Sequence, residues 1–246
     1  MDPSLLAQAD ATASQEPKIH VFTSSVTLTS DYRYRGLTQT MQRPAIQGSF
    51  DYTYRGGLYL GAAGSNVSTI VYPKAVLEMD FYGGYRFTRG PLSFDLGGIY
   101  VFYPSSNVLL LNPQTGKSKR SKPIANFDLN ASAAWKWLTL KYSHSTTDFY
   151  GAPDTSNTGY LDLTATKTFQ GGWGLAAHYG HQWMRNWKDA AYDDWRLGVF
   201  KDIKGFVLGL DYIDTNAKDA VYLYSDDDRS MNIGKAGAVV YLKRSF

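Results

Sequence analysis

Two arginines two residues apart, Arg33 and Arg35, stand in the run Asp31-Tyr32-Arg33-Tyr34-Arg35-Gly36, where charges and aromatic rings alternate one for one. A guanidinium is a fixed fork of donors that can bind a carboxylate or phosphate through two parallel hydrogen bonds. In an extended strand this spacing projects Asp31 and both forks from one face and the two tyrosines from the other. It predicts a surface that selects or binds anionic groups, or else ion pairs with acids on a neighbouring strand, Asp51 among them.

Downstream, one face of nearly every alternating segment carries ionisable groups. The full set is Asp31, Arg33, Arg35, Asp51, Glu78, Asp80, Arg86, Asp95, Asp128, Lys141, Asp162, Arg196, Asp211, Lys235 and Lys243. Acids and bases are mixed. Such charges on an enclosed face either pair into a lattice that fills the interior or line an aqueous path with selecting rings. One molecule has room for both.

Catalytic constellations are weaker. His144 is adjacent to Ser143 and Ser145, so in a strand it points away from both. His178 stands alone on a polar row, without an adjacent serine or acid. The four histidines lack metal-ligand spacing, and Asp226-Asp227-Asp228 lacks the spacing of an EF-hand loop. No enzyme activity, metal or cofactor is expected. The basic run Lys117, Lys119, Arg120 and Lys122 either meets lipopolysaccharide phosphates, draws anions to a mouth, or is a solvated loop. Leu109-Leu110-Leu111 beside it could fold that loop inward as a constriction.

These side chains need strands to carry them. Alternation runs through 18–35, 46–54, 58–66, 74–87, 92–100, 125–135, 138–143, 161–169, 173–182, 195–200, 206–212 and 232–246. That is about twelve strands, an even number, with tight turns after the even ones and longer loops after the odd ones, as in bacterial outer-membrane barrels. Aromatics collect beside the tight turns (Tyr54, Phe87, Trp135, Trp137, Phe169, Trp173, Phe206, Phe246) and again near the loops (Tyr32, Tyr34, Tyr100, Tyr160, Trp183, Trp195), as two interfacial girdles would. Mean hydropathy is -0.32, and no apolar run approaches the roughly 18 residues that a membrane helix needs. A net charge of +3 gives no nucleic-acid footprint. Cysteine is absent, which suits an oxidising compartment without demanding one.

The strings SDYRYRG, LTQT, PAIQGSFDYTY, GLYLG and SNV, in that order between residues 26 and 67, resemble the TorF-type family of porin-like proteins from proteobacterial outer membranes. The resemblance implies a location and a fold rather than a substrate. A last strand that alternates Ala236, Ala238, Val240 and Leu242 before Phe246 resembles the signal read by the barrel-assembly machinery, although Arg244 departs from it.

The expectation is therefore all-β: a single transmembrane antiparallel β-barrel over 18–246, with short periplasmic turns and long extracellular loops, behind a disordered segment 1–17. That segment has neither the basic start nor the apolar core of an intact signal peptide. The expected work is passive diffusion of small polar or charged solutes across a Gram-negative outer membrane. The expected partners are the lipid bilayer, lipopolysaccharide, the assembly machinery and the solutes. Three alternatives stay open: a largely closed barrel that acts through its loops, a soluble β-sandwich or lipocalin-like barrel, and an outer-membrane lipid hydrolase.

Overall fold

Twelve antiparallel strands close on themselves in the computed structural model, which describes residues 19–121, 123–225, 227 and 229–246. They are β1 His20–Thr29, β2 Ala45–Tyr54, β3 Leu58–Asn66, β4 Leu77–Arg89, β5 Leu92–Tyr103, β6 Ile124–Trp135, β7 Leu138–Ser145, β8 Thr158–Thr168, β9 Trp173–Trp183, β10 Tyr192–Ile203, β11 Phe206–Thr215 and β12 Gly237–Ser245. Each pairs with its chain neighbours, and β12 returns to β1 from Ser25↔Ser245 to Thr29↔Tyr241. Closure removes the two open edges that a twelve-stranded sheet would otherwise have.

Period-two alternation decides which side chains meet the lumen. Asp128, Asp162, Asp194 and Glu78 are buried inside, whereas Leu60, Leu175 and Leu197 lie exposed outside. The soluble alternative would turn the apolar rows inward; the structure turns them out. A continuous apolar exterior around buried charges is the reverse of a water-soluble barrel.

Five tight turns gather at one end. At the first of them, Gly57 has φ +97, and a Cβ there would lie 2.1 Å from the Arg86 carbonyl oxygen, so only glycine fits. All eight aromatics expected beside these turns are exposed, with Phe87 and Trp137 also bordering the lumen at that end. Arg244, the departure in the last strand, places its guanidinium 4.7 Å from the Phe206 ring and 5.8 Å from that of Phe246. Its Nη1 donates to the Lys204 carbonyl at 2.7 Å. The charge thus reaches the turn end along apolar rings, as a snorkelling side chain does. The upper girdle needs correction: Tyr32 and Tyr160 are buried, and Tyr34 is half-buried against an interior cluster, while Tyr100 and Trp183 remain outside.

The other end carries the loops 30–44, 67–76, 104–123, 146–157, 184–191 and 216–236. They pack on one another. Met41, Val71, Ala190, Tyr192, Tyr222 and Ile233 form a buried cluster. The Tyr72 ring stacks 3.6 Å from that of Tyr103, and its hydroxyl donates to Gln39 Oε1 at 2.5 Å.

Several expected strand bounds shift by a few residues, and the first and last strands move furthest. The strand expected over 18–35 ends at Thr29. The one expected over 232–246 begins at Gly237, because Ser230–Asn232 pairs with Leu223–Ser225 in a separate hairpin. The long loop after β5 contains its own hairpin, Val108–Leu111 with Ser118–Ser121, and Leu109 and Leu111 are exposed on it rather than folded inward. Residues 1–17, Lys122, Asp226 and Asp228, for which expectations are stated above, lie outside the described residues.

Candidate functional site

A small hairpin inside the mouth crosses the lumen. Arg33–Tyr34 pairs with Leu37–Thr38, and the two residues between them, Arg35 (φ 48) and Gly36 (φ 77), both adopt positive φ. Two such residues make a type I′ turn, whose twist suits a two-residue hairpin. Asp31 organises the base. Its Oδ2 accepts from Arg33 Nε at 2.6 Å, and its Oδ1 accepts from the hydroxyls of Thr38 and, at 3.0 Å, Thr40. Arg33 Nη1 also donates to the carbonyls of Gly36 and Lys235, each at 2.9 Å. The expected common face of Asp31, Arg33 and Arg35 is therefore broken: Arg33 holds the hairpin together, and Arg35 leaves from its tip.

Around the lumen the hairpin is clasped on several sides. Tyr32 donates to Glu78 Oε1 at 2.5 Å, and Tyr103 donates to Oε2 of the same carboxylate at 2.5 Å. Burial, then the Glu78 charge, pushes the Tyr32 phenol well above its ordinary range, so it stays a donor. Across the barrel, Arg35 Nη2 donates to Asp128 Oδ2 at 2.8 Å and Nη1 to Gln182 Oε1 at 2.9 Å. Its guanidinium lies 4.4 Å from the Tyr160 ring, and Tyr192 donates to its backbone carbonyl at 3.0 Å. At Gly36 the fit is backbone-close: a Cβ would lie 2.5 Å from Thr215 Cγ2 and 2.6 Å from Asp194 Cβ. Both charges of the Arg35–Asp128 pair are almost fully buried, and such pairs persist only when hydrogen-bonded throughout.

Below the tip lie two adjoining chambers. One of 130 Å³ touches the hairpin tip and is lined by Arg35, Asp128, Lys141, His178 and Arg196 among others. One of 510 Å³ extends toward the tight-turn end, past Tyr59, Arg86, Asp95, Lys136 and Trp137. They share Ile99, Asn130, Lys141 and Thr164 as walls. A third, of 70 Å³, lies beside Asp51 and Arg86.

The remaining candidates sit as follows. Arg86 Nε pairs with Asp95 at 2.8 Å, with its guanidinium 3.9 Å from the Tyr59 ring. Asp51 accepts from Tyr82 at 2.7 Å rather than from either hairpin arginine. Lys141 faces Asp162 in register, and Arg196 faces Asp211 at 3.5 Å. Asp80 is buried beside Glu78 with its Oδ1 unpartnered among the described residues, and inward Lys243 stands opposite Thr27. Lys235 does not join them: it lies in the loop before β12 with its side chain exposed. In the basic loop, Lys117 pairs with Asp154 at 2.9 Å and Lys119 with Asp148 at 3.0 Å.

His178 is not alone. Asp194 Oδ1 lies 2.9 Å from its Nε2 and Asp162 Oδ2 lies 3.3 Å from its Nδ1. These acids belong to the flanking strands, so adjacency in sequence could not reveal them; register could. Gln182 and Tyr192 escaped the sequence for the same reason, each acting across strands, and Tyr160, expected in the girdle, acts inside instead. His144 points outward to Asn157 Oδ1 at 3.1 Å, while Ser145 faces the lumen and donates to Asp128. Among the described residues no group of three or more His, Asp and Glu could hold a metal ion.

Residues 11–246 match the profile of a family described as "Bacterial protein of unknown function (Gcw_chp)". The chain belongs to this family. No curated protein matches this Gcw_chp member by sequence. Among solved structures it is similar to the KdgM porin (TM-score 0.55, 8% identity, 91% of this chain and 99% of that one). It is also similar to the NanC porin (TM-score 0.53, 10% identity, 89% and 97%). The Pseudomonas putida toluene transporter TodX gives a TM-score of 0.51 at 10% identity over 99% and 92%. At these identities the likeness is one of fold: this Gcw_chp chain is an all-β, twelve-stranded closed barrel of the kind seen in small outer-membrane porins.

Proposed function

We propose that the chain is a porin-like channel of the bacterial outer membrane, of the TorF type, that passes small polar or charged solutes by passive diffusion. The observation that carries this is the pair of adjoining charged chambers below the hairpin tip. A side-chain lattice alone would fill that space, whereas connected polar volume can hold water and solute. The apolar exterior and the girdle at the tight-turn end support a place in lipid, with the tight turns on the periplasmic side. The seam, where Phe246 and Ser24 exchange backbone hydrogen bonds of 2.9 and 3.1 Å, supports a last strand delivered by the assembly machinery. The KdgM porin has been solved with disordered oligogalacturonate; for this chain the solute class follows from its own lining. The reading involves no reaction, cofactor or energy source.

A largely closed barrel is the second reading, favoured by the clasped hairpin and the packed loops above it. The two differ in current. In a salt gradient across a planar bilayer the refolded protein is expected to give steady unitary currents. Arg35→Gln, which leaves the Asp128 carboxylate in the constriction without its cation, should move the reversal potential toward cation selectivity. Currents with an unchanged reversal potential would remove Arg35 from the path.

A further inference from the structure

At the loop end of the barrel, exposed bases have acids beside them. Lys117 pairs with Asp154 at 2.9 Å, Lys119 with Asp148 at 3.0 Å and Lys218 with Asp189 at 2.7 Å. The tight-turn end is built differently. Each tight turn has a base within it or at its edge, and they crowd on one sector. Lys167 on β8, Lys201 on β10, Lys204 in the turn after β10 and Arg244 on β12 fall within five successive strands. Arg55, Arg89 and Lys136 stand singly at the other three turns. Among the described residues none of the four clustered bases has an ion-pair partner.

Aromatic rings hold three of these bases at the surface. Lys167 Nζ lies 5.6 Å from the Phe169 ring centre, Lys201 Nζ 4.7 Å from that of Trp173, and the Arg244 guanidinium 4.7 Å from that of Phe206. Backbone carbonyls fix two of them: Lys201 Nζ donates to Gly171, and Arg244 Nη1 donates to Lys204 at 2.7 Å. Ammonium and guanidinium groups carry several donors, so each keeps some for a further acceptor. Two carboxylates share this end of the sector, and both accept from backbone N–H groups. Asp202, on the inward row of β10, takes that of Gly205 at 2.7 Å, and Phe246 takes that of Ser24 at 3.1 Å. Four bases against two carboxylates leave the sector positive. Farther up the same strands the outward rows are apolar, with Leu175, Leu197, Leu208 and Leu242 all exposed.

A row of unpaired cations below an apolar wall matches a molecule with an anionic head and hydrocarbon tails. β10 and β12 lie two strands apart, about 10 Å, so one headgroup can touch both Lys201 and Arg244. We propose that the β8–β12 sector of the tight-turn end seats an anionic phospholipid, with its phosphate among these four bases and its acyl chains on the leucine rows. A zwitterionic lipid brings its own ammonium to the same bases and gains no net charge attraction. Each base near a lipid surface is worth roughly fivefold in its hold on an anionic headgroup. The inference goes beyond the channel reading and rests on it only for the bilayer and the orientation. Tight turns face the periplasmic leaflet, which holds phospholipid rather than lipopolysaccharide.

The chain has no cysteine, so a single fluorescent label can be placed at will on the full-length protein. Ile203→Cys puts it on an exposed position between Lys201 and Lys204, and Leu58→Cys puts a control at the first tight turn. Each labelled protein is refolded into phosphatidylcholine vesicles that contain a small share of acyl-brominated phosphatidylglycerol or acyl-brominated phosphatidylcholine, either of which quenches a label it touches. At Ile203 the phosphatidylglycerol is expected to quench as if enriched about fivefold or more over phosphatidylcholine, with a smaller enrichment at Leu58. Salt near 1 M, where the Debye length is about 3 Å, should lower that enrichment. Lys201→Gln with Arg244→Gln should bring it down to the Leu58 level. Lys167→Gln with Lys204→Gln, both exposed, should lower it too and serves if the first pair fails to fold. Equal quenching by both lipids at Ile203, the same enrichment at both labels, or undiminished enrichment in the folded variants would each overturn the proposal and leave the bilayer reading standing. No quenching by either lipid at either label would overturn both.

Discussion

Replacing Leu197 by arginine is expected to cost about 2–4 kcal/mol of folding stability in a lipid bilayer. The size of that loss is informative because Leu197, on β10, is 64% exposed. In a water-soluble barrel so exposed a position would tolerate a charge within about 0.5 kcal/mol. Here the neighbour is hydrocarbon, and a guanidinium near the middle of the strand must be dragged toward an interface or left in lipid. Denaturant titrations of folding into phospholipid vesicles measure the difference. A variant as stable as wild type would mean that the outer face meets water, and the bilayer assignment would fail with it.

Cutting the clasp should have an effect as large but in another place. Asp128 accepts from Arg35 at 2.8 Å and from Asn126 Nδ2 at 2.7 Å, as well as from Ser145. Asp128→Ala leaves the Arg35 guanidinium buried without its carboxylate, a change that costs about 3–5 kcal/mol when a buried pair is broken on one side. The barrel strands have their own ladders, so most of that cost should fall on the hairpin. Amide hydrogen exchange at Tyr32, Arg33, Thr38 and Thr40 is expected to accelerate strongly while β6 and β7 stay protected. The double change Arg35→Met with Asp128→Leu should restore much of the protection, since an apolar pair leaves no orphaned charge. If Asp128→Ala leaves the hairpin protected, Arg35 is not what holds it.

The barrel was legible in the sequence because its physics is local. In β6, Phe127, Leu129, Ala131 and Ala133 alternate with Asn126, Asp128, Asn130 and Ser132, so pleat geometry alone assigns the two faces. Glycine-bearing turns then set the spacing and the short-long rhythm of connections. The site was only partly legible. Asp31, Arg33 and Arg35 keep the period of two, and the same alternation that identified real strands extended β1 too far. The missed signal was Arg35-Gly36 itself: a residue before glycine, flanked by pairs that match across it, is a two-residue hairpin turn, and the Thr38 and Thr40 hydroxyls stood ready to satisfy Asp31. The clasp could not be read at all. Asp128 lies 93 residues from Arg35, and which inward acid a loop tip meets depends on strand register and barrel closure, not on any local pattern. Lys235 misled for the opposite reason, since its segment alternates with β12 but ends before the strand begins.

The measurement that bears most directly on the channel is single-channel conductance of the wild type beside a variant without the hairpin. Thr29 and Ala45 are register partners, so residues 31–43 can be replaced by a short glycine linker without separating β1 from β2. Small, steady unitary currents are expected from the wild type and several-fold larger ones from the shortened barrel, because the hairpin is what narrows the lumen above the chambers. Silence from both, in protein shown to be folded and inserted, would contradict the channel reading and leave a closed barrel whose work is done by its loops.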